Sequence, residues 1–250
     1  MERLNTRGPA VVWRYGTVTA LIDESPRAKT IELEVPDWPG HAAGQHVDVR
    51  LTADDGYQAQ RSYSIASAPE DPRLALTVER LDDGEVSPYL TSELRLGDEL
   101  ELRGPIGGHF TWRADDDGPL LLIAGGSGLV PLMAMLRHRA ARSSEVDARL
   151  LVSARSLDDA LYRDELETLA AADGLLLHRT FTREPPAGWT GFARRIDAQM
   201  LRAVGPAPTA RPRIFVCGPT AFVERADDLL VELGHDPATI RSERFGPTGG

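Results

Sequence analysis

Five consecutive apolar residues, Leu120-Leu121-Leu122-Ile123-Ala124, run directly into Gly125-Gly126-Ser127-Gly128 and then into Leu129-Val130-Pro131. An apolar run of strand length, with no polar residue to face water, reads as a strand covered on both faces. The glycines turn the chain, and Pro131 suits the first turn of a helix, where its missing N–H is not needed. From this point strands and helices alternate. Further strands are expected at 149–153, 175–180, 213–216 and 239–244, and helices at 131–142, 159–171, 194–203 and 220–234. That alternation predicts a five-stranded parallel sheet with helices on both faces.

Upstream the texture is different. Gln45–Leu51 alternates Val47, Val49 and Leu51 with His46, Asp48 and Arg50, as a half-buried strand does. Similar stretches at 16–22, 30–35, 60–66, 74–81 and 99–103 are separated by turn signals such as Asp54-Asp55-Gly56 and Leu96-Gly97-Asp98. Six short antiparallel strands and one helical segment, 87–93, predict a small closed β-barrel. The acidic stretch Asp115-Asp116-Asp117-Gly118 divides the two patterns. The chain is therefore expected to hold a β-barrel domain, residues 1–115, and an α/β domain, residues 116–250, and its 250 residues suffice for both.

Three bulk features narrow the function. Cys217 is the only cysteine, so an intramolecular disulfide and a four-thiolate iron–sulfur cluster are both excluded, and a reducing cytoplasmic setting is expected. A net charge of −10 argues against nucleic-acid binding, which needs cations to neutralise phosphates. Met1–Tyr15 lacks the apolar run of a signal peptide, and no window approaches the roughly 18 apolar residues of a membrane span. No metal site is read from the sequence.

Four short motifs carry the chemistry. In Arg61-Ser62-Tyr63-Ser64, a strand would send Arg61 and Tyr63 to one face and Ser62 and Ser64 to the other. That places a guanidinium able to grip a pyrophosphate beside an aromatic ring and a hydroxyl; the plainer alternative is an exposed arginine and a half-buried tyrosine. In Gly84-Glu85-Val86-Ser87, Gly84 permits close backbone approach, and Ser87 marks a helix start whose amides can hold an anion or whose hydroxyl is simply an N-cap. Gly125, Gly126 and Gly128 sit in the strand–loop–helix context that cradles nucleotide phosphates. Cys217-Gly218-Pro219 closes another strand, at the sheet edge where open α/β folds bind ligands; a small buried hydrophobe is the alternative fate of Cys217. Arg155 and Thr182-Arg183 stand at strand ends, where a ribose 2′-phosphate can be clamped. Asp158 and Asp159 read as helix caps. With no acid immediately after the second strand of the sheet, NADP is favoured over NAD.

In this order, and together with Gly104-Pro105-Ile106-Gly107-Gly108-His109-Phe110 and Glu243-Arg244-Phe245, these motifs resemble the ferredoxin–NADP reductase superfamily, in particular its stand-alone FAD-dependent members. The resemblance runs from about Arg14 to the C-terminus. It implies that Arg61 binds the FAD pyrophosphate, completed by the backbone of Gly84, Val86 and Ser87. Tyr63 would pack along the ribityl–isoalloxazine junction, and the Ser64 hydroxyl would reach flavin N5. Gly125, Gly126 and Gly128 would face the phosphates of NADP(H), with NAD(H) as the alternative, and Cys217, Gly218 and Pro219 would border the nicotinamide. Thr182-Arg183 matches the family's Ser-Arg pair for the 2′-phosphate. Glu243 matches an active-site carboxylate and Phe245 an aromatic that stacks on the flavin, although here Gly246-Pro247-Thr248-Gly249-Gly250 follows it. The implied activity is hydride transfer from NAD(P)H to FAD and delivery of electrons to a separate protein such as a ferredoxin. The alternatives are a reductase that releases free reduced flavin and a non-catalytic electron-transfer subunit.

Overall fold

The computed structural model describes residues 11–245. The expectation on the first residues, and the tail after Phe245, therefore lie wholly or partly outside the described residues. The first part contains β1 (Trp13–Ser25), β2 (Ala28–Glu34), β3 (His46–Thr52), β4 (Gln58–Ser64), β5 (Leu74–Glu79), helix α1 (Ser87–Ser92) and β6 (Glu99–Ile106). All six strands pair antiparallel in the order β4-β3-β6-β1-β2-β5. Val18, Ile31, Leu33, Val47, Val49, Leu76, Leu100 and Leu102 form its core, with Leu90 of α1. Asp48 departs from the expected alternation because it is buried. It accepts hydrogen bonds from Ser62 Oγ and Arg103 Nη2, both at 2.6 Å, which compensate the lost water.

The expected closed barrel is not formed. The outer strands β4 and β5 meet only at the bridge Ile65–Leu76 and the adjoining bond from Ala66 N–H to the Ala75 carbonyl, 2.7 Å. The faces of the two outer strands are also engaged differently. On β4, Gln58, Gln60, Arg61 and Ser62 are exposed, so it brings little apolar surface to a partner strand. On β5, the face opposite the sheet's own core is already occupied: Ala75 joins the apolar cluster of the second sheet, and Thr77 bonds to Tyr162.

The second part follows the expected alternation. β7 (Leu120–Gly125), α2 (Leu129–Ala141), β8 (Ala148–Ser156), α3 (Arg163–Ala172), β9 (Leu176–Glu184), α4 (Ala198–Val204), β10 (Arg213–Pro219), α5 (Thr220–Glu232) and β11 (Ile240–Phe245) succeed one another. The sheet is parallel throughout, ordered β11-β10-β7-β8-β9. Residues 120–124 are fully buried. Leu120, Leu122 and Ala124 face α2 and α3, while Leu121 and Ile123 face α4 and α5. Because β10 and β8 lie on opposite sides of β7, the chain reverses its winding there and leaves a crevice at the strands' carboxyl ends.

Two helix starts differ from the sequence expectation. α3 begins at Arg163, and Asp158 and Asp159 lie before it in a loop, where Asp159 accepts from Ser156 Oγ at 2.8 Å instead of capping a helix. α4 begins at Ala198, capped by Asp197, whose carboxylate accepts from Met200 N–H at 2.7 Å.

Candidate active site

The residues singled out by the sequence fall into two sets, one on each sheet. The first is built on β4 and α1. The side chains alternate as the strand pattern requires: Arg61 turns to Glu85, 3.1 Å, and Ser62 turns the other way to Asp48. Tyr57, just before the strand, donates to the same Glu85 at 2.7 Å. Tyr63 is half-buried against the sheet core, and burial pushes its phenol above the ordinary value of 10. Ser64 is buried at the strand end, paired in register with His46.

The plain N-cap alternative for Ser87 does not hold. Val86 occupies the cap position of α1 without a side-chain bond, while the Ser87 hydroxyl accepts from Leu81 N–H at 3.0 Å and closes the turn. Because Pro88 has no N–H, the start of α1 keeps only the Ser87 and Tyr89 amides as backbone donors. Gly84 allows this turn: a Cβ there would stand 3.0 Å from Ser87 Oγ and 3.1 Å from the Leu81 carbonyl.

The second set gathers at the carboxyl ends of the parallel strands. Gly125, Gly126, Ser127, Arg155, Thr182, Pro219 and Phe245 line one cleft, whose opposite wall is the β1–β2 turn with Arg27 and Ala28. The three glycines are not equivalent. A Cβ on Gly125 would meet the Phe222 ring at 2.8 Å, and one on Gly128 would lie 2.1 Å from the Cys217 carbonyl oxygen. Gly126, at φ +55°, has open space beside it. Packing against β10 and α5 therefore demands glycine at 125 and 128, and the turn demands it at 126.

Arg155 lies inside β8 rather than beyond it, and it lines the cleft beside Thr182, whose hydroxyl donates to the Ala154 carbonyl at 3.3 Å. Arg183 is exposed and does not line the cleft. Phe222 escaped the sequence reading. Its signal was its place three residues after Pro219, in the first turn of α5, where a side chain leans back over the preceding strand.

Cys217, Ala124 and Glu243 share one level of the sheet. Cys217 is fully buried, and burial, with the Glu243 charge next in effect, pushes its thiol well above the ordinary 9.0. It is a neutral thiol on the same face as Phe215, which packs edge-on against Phe110 at 5.3 Å. Glu243 is half-buried, and desolvation pushes its carboxyl from 4.5 to about 7. No hydrogen bond reaches that carboxylate among the described residues. Phe245, next to Pro219 in register, is partly exposed at the cleft edge.

These residues fit a flavin nucleotide and a nicotinamide nucleotide. The exposed Arg61 guanidinium is a donor suited to a pyrophosphate. The cleft at the strand ends offers open space beside Gly126 and a cation, Arg155, in its lining.

Comparison with known proteins supports the same assignment. The Oxidoreductase FAD-binding domain family matches residues 17–112, and the Oxidoreductase NAD-binding domain family matches residues 122–228. The chain is 35% identical over 210 residues to the glycine betaine monooxygenase reductase subunit of Pseudomonas aeruginosa, covering 82% of this chain and 56% of that protein, so it spans about half of that relative's length. It is 34% identical to ferredoxin–NADP reductase B of Sorangium cellulosum, over 88% of this chain and 93% of that protein. Among solved structures, the cytochrome P450 reductase of Amycolatopsis superposes with a TM-score of 0.82 at 28% identity, covering 96% of this chain and 71% of that one. The chain belongs to the ferredoxin–NADP reductase family of FAD- and NAD(P)-binding oxidoreductases.

Proposed function

We propose that this chain is an FAD-dependent NAD(P)H oxidoreductase of two domains, 1–115 and 116–250, that supplies electrons to a separate redox protein. When bound, FAD accepts a hydride from the nicotinamide and releases electrons onward. The observation that carries the proposal is the glycine cleft at the β7–β10 reversal, whose other wall is the β1–β2 turn of the antiparallel sheet.

Arg61 neutralises the FAD pyrophosphate, helped by the backbone of Gly84, Val86 and Ser87, after Glu85 yields the guanidinium. Tyr63 flanks the flavin, and Ser64 offers a hydroxyl to its N5. Gly125, Gly126 and Gly128 let a nicotinamide nucleotide lie against the loop, and Gly218 and Pro219 form the floor beside them. Cys217 presents an uncharged, compact surface under the nicotinamide. Glu243, half-protonated near pH 7, holds a proton at the site. Phe245 covers the cleft edge, and Arg155 with Thr182 receives the 2′-phosphate of NADP(H), Arg183 standing exposed outside the cleft.

The partner is a separate electron-accepting protein, a ferredoxin or another redox protein. Two relatives bear the names of reductases for a monooxygenase and for a cytochrome P450, which supports that division of labour. No helix of the described residues is long and apolar enough to cross a membrane, and we place the protein in the cytoplasm. The test is direct. The purified protein should be yellow, keep its FAD through gel filtration and bleach on adding NADPH or NADH. Colourless protein that takes up no added FAD ends the proposal, and FAD lost on the column points to a reductase of free flavin.

A further inference from the structure

Besides apolar packing, a chain of buried hydroxyls ties the two sheets together. Tyr162, at the turn that opens α3, is 3% exposed and held at φ 51°. A non-glycine residue rarely adopts that left-handed conformation, so the surroundings must hold it there. Its hydroxyl donates to Thr77 Oγ1 of β5. Thr77 and Thr30 bring their hydroxyl oxygens to 2.7 Å, and Thr30 donates to Glu24 Oε1, also at 2.7 Å. A hydroxyl has a single proton. Thr30 gives its own to Glu24, so Thr77 must donate to Thr30 while accepting from Tyr162. The chain runs one way, from the phenol of the α/β part to a carboxylate on β1.

Arg137 of α2 makes a second grip beside the first. Its guanidinium carbon lies 5.1 Å from the centre of the Tyr162 ring. It donates to the Ala66 carbonyl at 2.7 Å, and its remaining donors are fixed by Glu165 of α3 at 2.7 and 2.6 Å. Ala66 follows Ser64 by two residues, and its own N–H is bonded to Ala75 of β5. Both grips therefore land where β4 ends against β5. On the other side, α2 is the helix that continues the glycine loop.

We propose that Tyr162 and Arg137 form a latch fixing the glycine loop relative to the Ser64 end of β4, which makes Tyr162 a positioning residue for hydride passage. The inference rests on the nicotinamide-to-flavin function proposed above. A displacement of about 1 Å between reacting groups can slow such a step by up to about 100-fold. Tyr162→Phe keeps the ring and removes only the hydroxyl, and Thr77→Val removes its acceptor from the opposite sheet while keeping the shape.

The test uses the full chain loaded with FAD and follows flavin bleaching by stopped flow with NADPH and with NADH. Each single variant should bleach about 10-fold more slowly at saturating nucleotide, with KM and FAD affinity unchanged. The double variant should be no slower than either single one, because both remove the same contact. Single variants that match wild type overturn the latch. So does Tyr162→Phe losing rate and FAD together while Thr77→Val keeps its rate, since that pattern belongs to a purely structural residue. Wild-type flavin that neither nucleotide reduces refutes the proposed function itself, and the latch with it.

Discussion

Glu243→Gln isolates what burial does to one carboxylate. Glu243 stands half-buried on β11, in register with Cys217, and its carboxyl titrates near 7 instead of 4.5 because water is excluded from around it. Below about pH 4.5 the group is neutral in both folded and unfolded chains and contributes no difference. Between 4.5 and 7 the unfolded chain ionises while the folded one keeps its proton, so stability falls as pH rises. Above about 7 the folded carboxylate is charged and the penalty is complete. At 1.36 kcal/mol per pKa unit the interval corresponds to roughly 3 kcal/mol, and partial exposure of the side chain reduces this to about 2 kcal/mol. Glutamine has nearly the same shape and cannot ionise. In the apoprotein, Tm curves for wild type and Glu243→Gln should therefore converge near pH 4.5 and separate by about 4–8 °C at pH 8, with the variant higher. Parallel curves over that range would refute the desolvation argument. They would also remove the basis for assigning Glu243 a proton at neutral pH.

Gly128→Ala should destabilise the protein by about 3 kcal/mol or more, seen as a lower Tm, because its Cβ would stand 2.1 Å from the Cys217 carbonyl. Gly126→Ala should cost only about 1–2 kcal/mol, from its positive φ alone, because nothing occupies the space beside it. Arg155→Ala should raise the KM for NADPH by about 10-fold or more while leaving that for NADH unchanged, as loss of a charge-assisted contact predicts, whereas Arg183→Ala, outside the cleft, should change it by less. Equal effects on both nucleotides would remove the 2′-phosphate assignment. Cys217→Ala should slow flavin reduction in a single turnover while FAD stays bound, whereas an unchanged rate returns Cys217 to the packing role its complete burial already gives it.

Much of the fold was legible because its signals are local. Residues 120–124 carry no polar atom in their side chains, so a strand buried on both faces is the outcome that leaves none of them wet, and the structure buries all five. The alternation in β3 failed only at Asp48, where the partners that make burial tolerable, Ser62 and Arg103, come from neighbouring strands distant in sequence. The helix starts failed for a related reason. Asp159 and Asp197 are both capping residue types, and only the tertiary path decides which of them meets a free helix amide. Barrel closure could not be read from strand count, because it depends on whether β4 and β5 align their backbone edges beyond the Ile65–Leu76 bridge, which no local pattern encodes.

The sequence by itself determined the residue types, their order and their periodicity: six strands, then five in alternation with helices, and motifs at the strand ends. Those follow from local sterics and from which side chains can leave water. Only the tertiary structure decided why each glycine is a glycine, that Arg155 lines the cleft while Arg183 does not, and that Tyr162 reaches across to Thr77. Each of these depends on distances between segments far apart in the chain, and no periodicity encodes such distances.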